Sequence, residues 1–300
     1  MNLLFIVNPK SGRGEAPALA DAFESAVTRA GHRVERTTVG AALAPSSSGH
    51  ATSTPIEHDL AVVFGGDGTV HTLLPSLAGT QTALYHVPMG TENLFARQFG
   101  MSREPEILIG ALRHGESVHI DLGNANGRLF AIMCSAGPDA GVVERLAASR
   151  RGSIRHTSYL RPIVNELLRP SLGPVSVRVD GRSFLESRRG LLLVANSPMY
   201  ALGLNPARDA VMTDGLLDVL FLPASGAVTA AAWYCRAALG TPTRARGATF
   251  ARAREVDVVA ERRTPYQLDG DHGGAATSPG EALNIRVHPA KVRVLTTRRA

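Results

Sequence analysis

Glycines and small polar residues interrupt the apolar N-terminal third at three places, each where a strand pattern gives way to a helix pattern. The first is Asn8-Pro9-Lys10-Ser11-Gly12-Arg13-Gly14 and the second is Gly65-Gly66-Asp67-Gly68-Thr69. The third, Pro88-Met89-Gly90-Thr91-Glu92-Asn93-Leu94-Phe95-Ala96-Arg97, follows the second by about twenty residues. Oriented backbone amides at such junctions receive phosphate, so the pairing of the second and third segments points to a nucleotide site. The first segment, taken alone, is an ordinary strand-to-helix turn in which Pro9 fixes the chain's exit and Ser11 and Arg13 can donate to an anion. Asp67 is the one carboxylate among three glycines. A bare carboxylate repels phosphate, which leaves it to act through magnesium or to accept a hydroxyl proton. The plainer alternative makes Asp67 and Thr69 helix caps.

The elements that must position these segments alternate. Residues 3–7, 32–39, 60–64 and 83–87 read as strands, and residues 17–30, 70–77 and 94–99 carry helical apolar spacing. This order predicts a parallel sheet with helices on both faces and ligands at the carboxyl ends of its strands. Residues 40–55, rich in Ala, Ser, Thr, Gly and Pro, read as a surface insertion. Beyond about residue 120 the pattern becomes short strands between turns, over 130–134, 175–179, 182–185, 191–195, 216–221, 255–259, 284–287 and 292–295. Asp180-Gly181 is a hairpin signal, and helices are expected over 139–149, 159–168 and 225–239. The expected fold is an α/β domain over 1–120 and a mainly antiparallel β-sandwich over 121–300, with a terminal segment able to pack back on the first domain.

Composition narrows the classes. With 44% apolar and 19% charged residues the chain reads as globular, and Cys134 and Cys235 form neither a CxxC pair nor a disulfide frame, which suits a reducing interior. The apolar stretch at the N-terminus is too short for a signal segment, and no run approaches the roughly 18 apolar residues of a spanning helix. Six arginines stand against the single carboxylate Glu166 between Arg145 and Arg169, within a net charge of +6. That excess fits anionic lipid headgroups or a solvated helix face. Aromatics at 5% and the absence of any RNP, KH or zinc-finger pattern speak against nucleic acid. No HExxH or HxH pair, GxSxG elbow or GxxxxGK[ST] loop is present, so zinc, serine hydrolase and P-loop chemistry are excluded from the leading readings.

The order and spacing of Asn8-Pro9, Ser11-Gly12, Gly14, Gly65 to Thr69, Pro88, Gly90-Thr91 and Asn93 resemble those of the diacylglycerol kinase and sphingosine kinase-like lipid kinases. GGDGT alone also occurs in NAD kinases and phosphofructokinases, and the block from Pro88 to Arg97 separates the lipid kinases from them. The resemblance is densest over residues 1–100 and implies a phosphofructokinase/NAD kinase-like first domain. It implies ATP held by Asn8, Ser11, Gly12, Gly65, Gly66, Asp67, Gly68, Thr69, Gly90, Thr91 and Asn93. Val211 to Asp218 looks like the family's DGxL segment, which implies Mg2+ bound by the Asp214 side chain with the carbonyls of Val211 and Leu216. Leu268-Asp269-Gly270-Asp271 resembles the family's LDGE segment. The resemblance makes Asp271 the proton acceptor for a lipid hydroxyl, while Asp269 can orient the attacking oxygen or a metal and Asp67 completes the catalytic set.

Three positions depart from the family pattern: Leu94 stands where Asp is common, Thr72 where Glu is frequent, and Asp271 where Glu is usual, one methylene shorter. The resemblance implies an ATP-dependent kinase acting on a diacylglycerol-like or long-chain-base lipid. A cytoplasmic location with peripheral membrane contact is expected, with Arg150, Arg151, Arg155 and Arg161 of the arginine-rich segment as the docking residues. A soluble-metabolite kinase of the NAD kinase type and a catalytically silent nucleotide- or lipid-binding protein are the alternatives. Monomer and homodimer are both left open.

Overall fold

A computed structural model describes residues 1–43, 55–148, 165–166, 171–239, 247–276 and 282–297. The chain divides into two compact units, one of residues 1–120 with 290–300 and one of residues 121–289.

The first unit is a six-stranded sheet. Its strands β1 (Asn2–Val7), β2 (Arg33–Thr38), β3 (Leu60–Gly65), β4 (Ala83–Pro88), β5 (Glu116–Ile120) and the C-terminal strand Val292–Thr296 lie in the order β2-β1-β3-β4-C-terminal strand-β5. All neighbours are parallel except the pairing of β5 with the C-terminal strand. Strands β1 and β3 are apolar at almost every position because helices cover the sheet, and residues on both pleat faces are therefore buried. Helix α1 (Ala16–Arg29) sets Phe23 edge-on against Phe64 of β3, centroids 5.3 Å apart. The short helix α2 (Val39–Ala42) is capped by Thr38, and residues 44–54 of the expected insertion lie outside the described residues. Helices α3 (Asp67–Leu77), α4 (Leu94–Phe99) and α5 (Pro105–His114) complete the unit.

The register places the three glycine segments. Val7 of β1 lies opposite Phe64 of β3, and Gly65 of β3 lies opposite Pro88 of β4. Three neighbouring parallel strands thus end at one edge, and the chain leaves each of them at the same level.

The second unit is antiparallel. Its strands are β6 (Gly123–Ala125), β7 (Arg128–Phe130), β8 (Met133–Ala136), β9 (Pro174–Val179), β10 (Arg182–Ala195), β11 (Leu217–Pro223), β12 (Thr249–Ala253), β13 (Glu255–Ala260), β14 (Thr264–Leu268), β15 (Asp271–Ala276) and β16 (Leu283–Val287). One path of pairing runs β15-β14-β8-β10-β9-β13-β16-β6-β7, and β11 joins β10 to β12. The hinge of this sandwich is β10. Its first half pairs with β9 through two register shifts, and its second half pairs with β8 and β11. Residues of both halves, among them Val177, Val256, Ile285, Val194, Phe221 and Leu268, close one apolar core. Strands β13 and β16 alternate buried and open positions, whereas β8 and β14 are buried throughout and β11 is buried up to Pro223. Helix α6 (Pro138–Ala148) packs on β8 and β14, and helix α7 (Ala227–Ala238) packs on β11, which accounts for the difference.

Several boundaries differ from the sequence reading for physical reasons. The expected strand over 130–134 is two strands, because the amides of Ala131, Ile132 and Met133 bond the Asp269 carboxylate instead of a ladder. Segments 182–185 and 191–195 are one strand, β10, kinked where Ser187 takes a positive φ of 46°. Strands β14 and β15 carry Pro265, Gly273 and Gly274, which mask their strand character locally; cross-strand pairing decides it. Asp180-Gly181 makes the expected two-residue hairpin turn, with φ of 48° and 76°. Of the expected helix over 159–168 only residues 165–166 are described, and they are helical. Arg150, Arg151, Arg155 and Arg161 lie outside the described residues.

Candidate functional site

In the first unit the three strand-end segments are bonded to one another. The Asn8 amide nitrogen donates to the Phe64 carbonyl (3.0 Å), and the Asn8 side chain donates to Thr69 Oγ1 (3.1 Å). Gly12 N–H donates to the Met89 carbonyl (3.2 Å), and Met89 N–H to the Gly65 carbonyl (2.8 Å). Gly12 and Arg13 both adopt φ of 59°, and Ser11 N–H turns back to the Asn8 carbonyl (3.0 Å).

The second and third segments meet backbone to backbone. A Cβ on Gly66 would stand 3.0 Å from Gly90 Cα, and one on Gly90 would stand 2.8 Å from Gly66 Cα. Only glycine at both positions permits this approach. Asn93, itself at φ 49°, closes the third loop by accepting from Gly90 N–H (2.7 Å) and donating to the Gly90 carbonyl (2.9 Å). Thr91 follows, half-buried, and Glu92 pairs with Arg97 at 3.7 Å.

Asp67 opens helix α3, yet its carboxylate serves helix α4: Oδ2 accepts from Leu94 N–H (3.0 Å) and Oδ1 from Phe95 N–H (3.1 Å). It thus satisfies two of the orphan amides at the start of α4 and locks the third segment to the second. Thr69 is buried, with its hydroxyl on Asn8, and Gly68 offers its carbonyl to Thr72 Oγ1 (2.6 Å). Thr72, where a carboxylate was a family expectation, therefore acts here within its own helix.

Beneath this loop lies a residue that the sequence did not single out. His86 is fully buried, and its Nε2 donates to the Gly65 carbonyl (2.8 Å) while Nδ1 has no partner among the described residues. Burial pulls the imidazole below its usual value, against the opposing influence of Asp67 and of the Gly65 bond. An uncharged histidine inside an apolar strand was the only signal available.

In the second unit, Asp214 and Gly215 form a tight turn. Asp214 Oδ1 accepts from Leu216 N–H (3.0 Å), and Gly215 stands at φ 73°. The turn is fastened from behind by Asp121, a buried residue whose Oδ2 accepts from Gly215 N–H (2.7 Å) and whose own N–H donates to Met212 (2.6 Å). Asn196 in turn donates to the Asp121 carbonyl (2.7 Å). Asp121 was also missed, its signal being only a charge in an otherwise apolar run. Val211 is exposed on the same turn. Among the described residues no three His, Cys, Asp or Glu side chains cluster as metal ligands. A cation here would rely on Asp214 and main-chain carbonyls. Asp214 Oδ2 has Arg252 Nη1 at 3.8 Å, beyond hydrogen-bonding range, so one carboxylate oxygen remains for a hard cation, with a guanidinium as its competitor.

The Leu268–Asp271 turn separates its two carboxylates. Asp269, at φ 52° and 8% exposed, accepts from Ala131 (2.8 Å), Ile132 (2.8 Å) and Met133 (3.0 Å) amides. It is held inward as a fastening of the turn. Asp271 begins β15, is half-buried, and its side chain takes part in no hydrogen bond or ion pair among the described residues. Of the two, Asp271 is the carboxylate available to an outside group.

Two family models match the chain. The diacylglycerol kinase catalytic domain matches residues 2–125, and the YegS C-terminal NAD kinase beta sandwich-like domain matches residues 132–296. A diacylglycerol kinase of Mycobacterium tuberculosis is 29% identical over 303 residues, spanning 98% of this chain and 94% of the relative. The "Probable lipid kinase YegS-like" of Pseudomonas putida is 30% identical over 230 residues, or 75% of this chain and 72% of that protein. The diacylglycerol kinase of Bacillus subtilis is 28% identical over 239 residues, 77% of each. A crystal structure from Bacillus anthracis superimposes with a TM-score of 0.71 at 18% identity, covering 98% of this chain and 96% of that one, which shows the shared fold. Matching both halves of the architecture and sharing nearly a third of its residues with such relatives, the chain belongs to the diacylglycerol kinase family of lipid kinases.

Proposed function

We propose that this lipid kinase transfers the γ-phosphoryl group of ATP to the free hydroxyl of a diacylglycerol-like or long-chain-base lipid. The observation that carries the nucleotide half is the backbone contact of Gly66 with Gly90, which leaves two glycine segments open to a polyphosphate at the carboxyl edge of a parallel sheet. Ser11, Gly12, Gly66, Gly68, Thr69 and Thr91 hold the phosphates, and Asn8, Gly65 and Asn93 fix the loops that present them. Asp67 sets the start of α4 against the glycine loop and, in this reading, acts through magnesium or accepts a hydroxyl proton.

The acceptor half rests on Asp271. Its carboxylate has no hydrogen bond or ion pair among the described residues, so it can take the lipid hydroxyl's proton as the oxygen attacks phosphorus in line. Asp269 keeps the turn in place. A magnesium ion would be held by the Asp214 carboxylate with the Val211 and Leu216 carbonyls and would supply charge compensation for phosphate. Most of the acceleration then comes from positioning and electrostatic stabilisation. An amphiphilic substrate favours peripheral contact with a membrane. Among the described residues no helix is long and apolar enough to cross one.

The test is transfer of radiolabelled phosphate from ATP to extracted lipids, run with the wild type and with Asp67→Ala and Asp271→Ala. A labelled phospholipid from the wild type and at least hundredfold weaker labelling from both variants is the expected result. Phosphorylation of NAD in place of lipid would assign the chain to soluble-metabolite chemistry, and ATP binding with no transfer to any lipid would make it a silent binder.

A further inference from the structure

A buried line of polar side chains runs from the Leu268–Asp271 turn to helix α6. Gly270 N–H donates to Gln267 Oε1 (2.7 Å), Gln267 Nε2 donates to Ser135 Oγ (2.8 Å), and Ser135 Oγ donates to Asp139 Oδ2 (2.5 Å). The Tyr200 hydroxyl donates to the same carboxylate oxygen (3.0 Å). Ser135, Gln267 and Tyr200 are buried, so each polar group depends on its neighbour.

The sense of this line is determined by its end. The ionised Asp139 carboxylate only accepts, so the single proton of Ser135 points to it, and the Ser135 oxygen is left to accept from the Gln267 amino group. That orients the Gln267 carbonyl oxygen toward Gly270. The strand register makes the arrangement systematic, because Gln267 and Ser135 face each other directly across β14 and β8. Burial holds the Asp139 carboxyl above its usual range, opposed by the bonds it accepts from Ser135, Tyr200, Ala140 N–H and Gln267, so Gln267 reaches Asp139 directly as well as through Ser135.

A purely apolar pair at positions 135 and 267 would fill this space without the desolvation cost, so the polar line calls for a use. Its free end supplies one. Asp269 and Gly270 turn the chain with φ of 52° and 88°, and the next residue is Asp271. The Asp269 carboxylate grips one flank of the turn, and the Gln267 side chain grips the other. An aspartate has one methylene less than a glutamate with which to correct a misplaced backbone, which raises the demand on the turn itself.

We propose that Gln267, Ser135 and Asp139, supported by Tyr200, are positioning residues that set the Leu268–Asp271 turn and hence the reach of the Asp271 carboxylate. This rests on the reading of Asp271 as the base. None of the four needs to touch substrate, and their effect should fall on the chemical step and not on nucleotide binding.

The test compares Gln267→Met, which keeps length and removes only the amide bonds, with Ser135→Ala, Tyr200→Phe and Asp271→Ala in the full-length protein. The wild type and each variant are measured for kcat, for KM toward ATP and for melting temperature. The expected result for Gln267→Met and Ser135→Ala is a kcat lower by tenfold or more with KM for ATP within twofold, since misplacement of a reacting group by about 1 Å can cost about a hundredfold. A variant carrying both Gln267→Met and Ser135→Ala should fall no further than the worse single one, as members of one line act together. Tyr200→Phe, which leaves Ser135 on Asp139, should lower kcat by less than Gln267→Met does, again with KM for ATP within twofold. If kcat is unchanged in Gln267→Met and Ser135→Ala while Asp271→Ala is inactive, the relay is overturned and the base stands. If Asp271→Ala is fully active, the base reading falls and the relay loses its purpose with it. Should Ser135→Ala fail to fold, Gln267→Met alone decides.

Discussion

Asp269 and Asp271 are two residues apart and do different physical work. Removing the Asp269 carboxylate strands three buried amides, and each orphaned donor costs about 1–3 kcal/mol. We expect Asp269→Ala to lower the melting temperature by several degrees or more, while Asp271→Ala melts within about two degrees of the wild type; scanning calorimetry on both decides. His86 offers a pH signature. Its folded-state value is lowered, so below the ordinary 6.5 the unfolded chain binds a proton that the folded chain refuses. Stability contributed at this site is therefore present above about 6.5 and is lost as pH falls below it. His86→Gln should flatten that part of a stability-against-pH curve measured by denaturant titration. At this scale the sequence was partly legible. The glycine loops stood out by their company, and the two turn carboxylates through the resemblance to the family. His86, Asp121, Gln267 and Asp139 did not, because their significance lies in partners tens of residues away.

The elements bring remote segments into register. Gly65 lies opposite Pro88 across β3 and β4, so the loops that follow emerge side by side and Gly66 meets Gly90. Main chain on both sides leaves nothing flexible to yield. Gly90→Ala should therefore cost about 1–3 kcal/mol of stability by overpacking, and Gly66→Ala somewhat less. Both should weaken binding of a fluorescent ATP analogue by tenfold or more, the readout that separates a damaged loop from a damaged fold. Periodicity made most of these elements visible beforehand. It did not reveal that β10 is a single strand, because the exposed polar residues from Glu186 to Arg189 interrupt its pattern where it passes from one half of the sandwich to the other. Nor did it show β15, whose glycines carry no strand preference and which forms by pairing with β14.

At the scale of the molecule, the C-terminal strand belongs to the first unit. Val292 and Val294 are fully buried there, between β4 and β5, and Gly79 N–H bonds the Lys291 carbonyl (2.9 Å). A chain ending at Pro289 leaves β4 and β5 without their common neighbour. We expect it to lose the cooperative melting of the first unit and to bind no nucleotide, measured by circular dichroism and by the same fluorescent analogue. Retained binding would show that the strand only decorates the sheet.

The identity of the glycine segments, their order, the α/β-then-β division and the carboxylate at Asp67 could be read from residue types and local spacing, because turns and amphipathic periods are short-range properties of a chain, whereas Asp214, Asp269 and Asp271 stood out only through the resemblance to the family. Which carboxylate faces inward, which amide each oxygen receives and which strand completes which sheet were decided by tertiary structure. Those are contests between partners distant in sequence, such as Asp269 with Ala131, settled by burial and hydrogen bonding that no local pattern encodes.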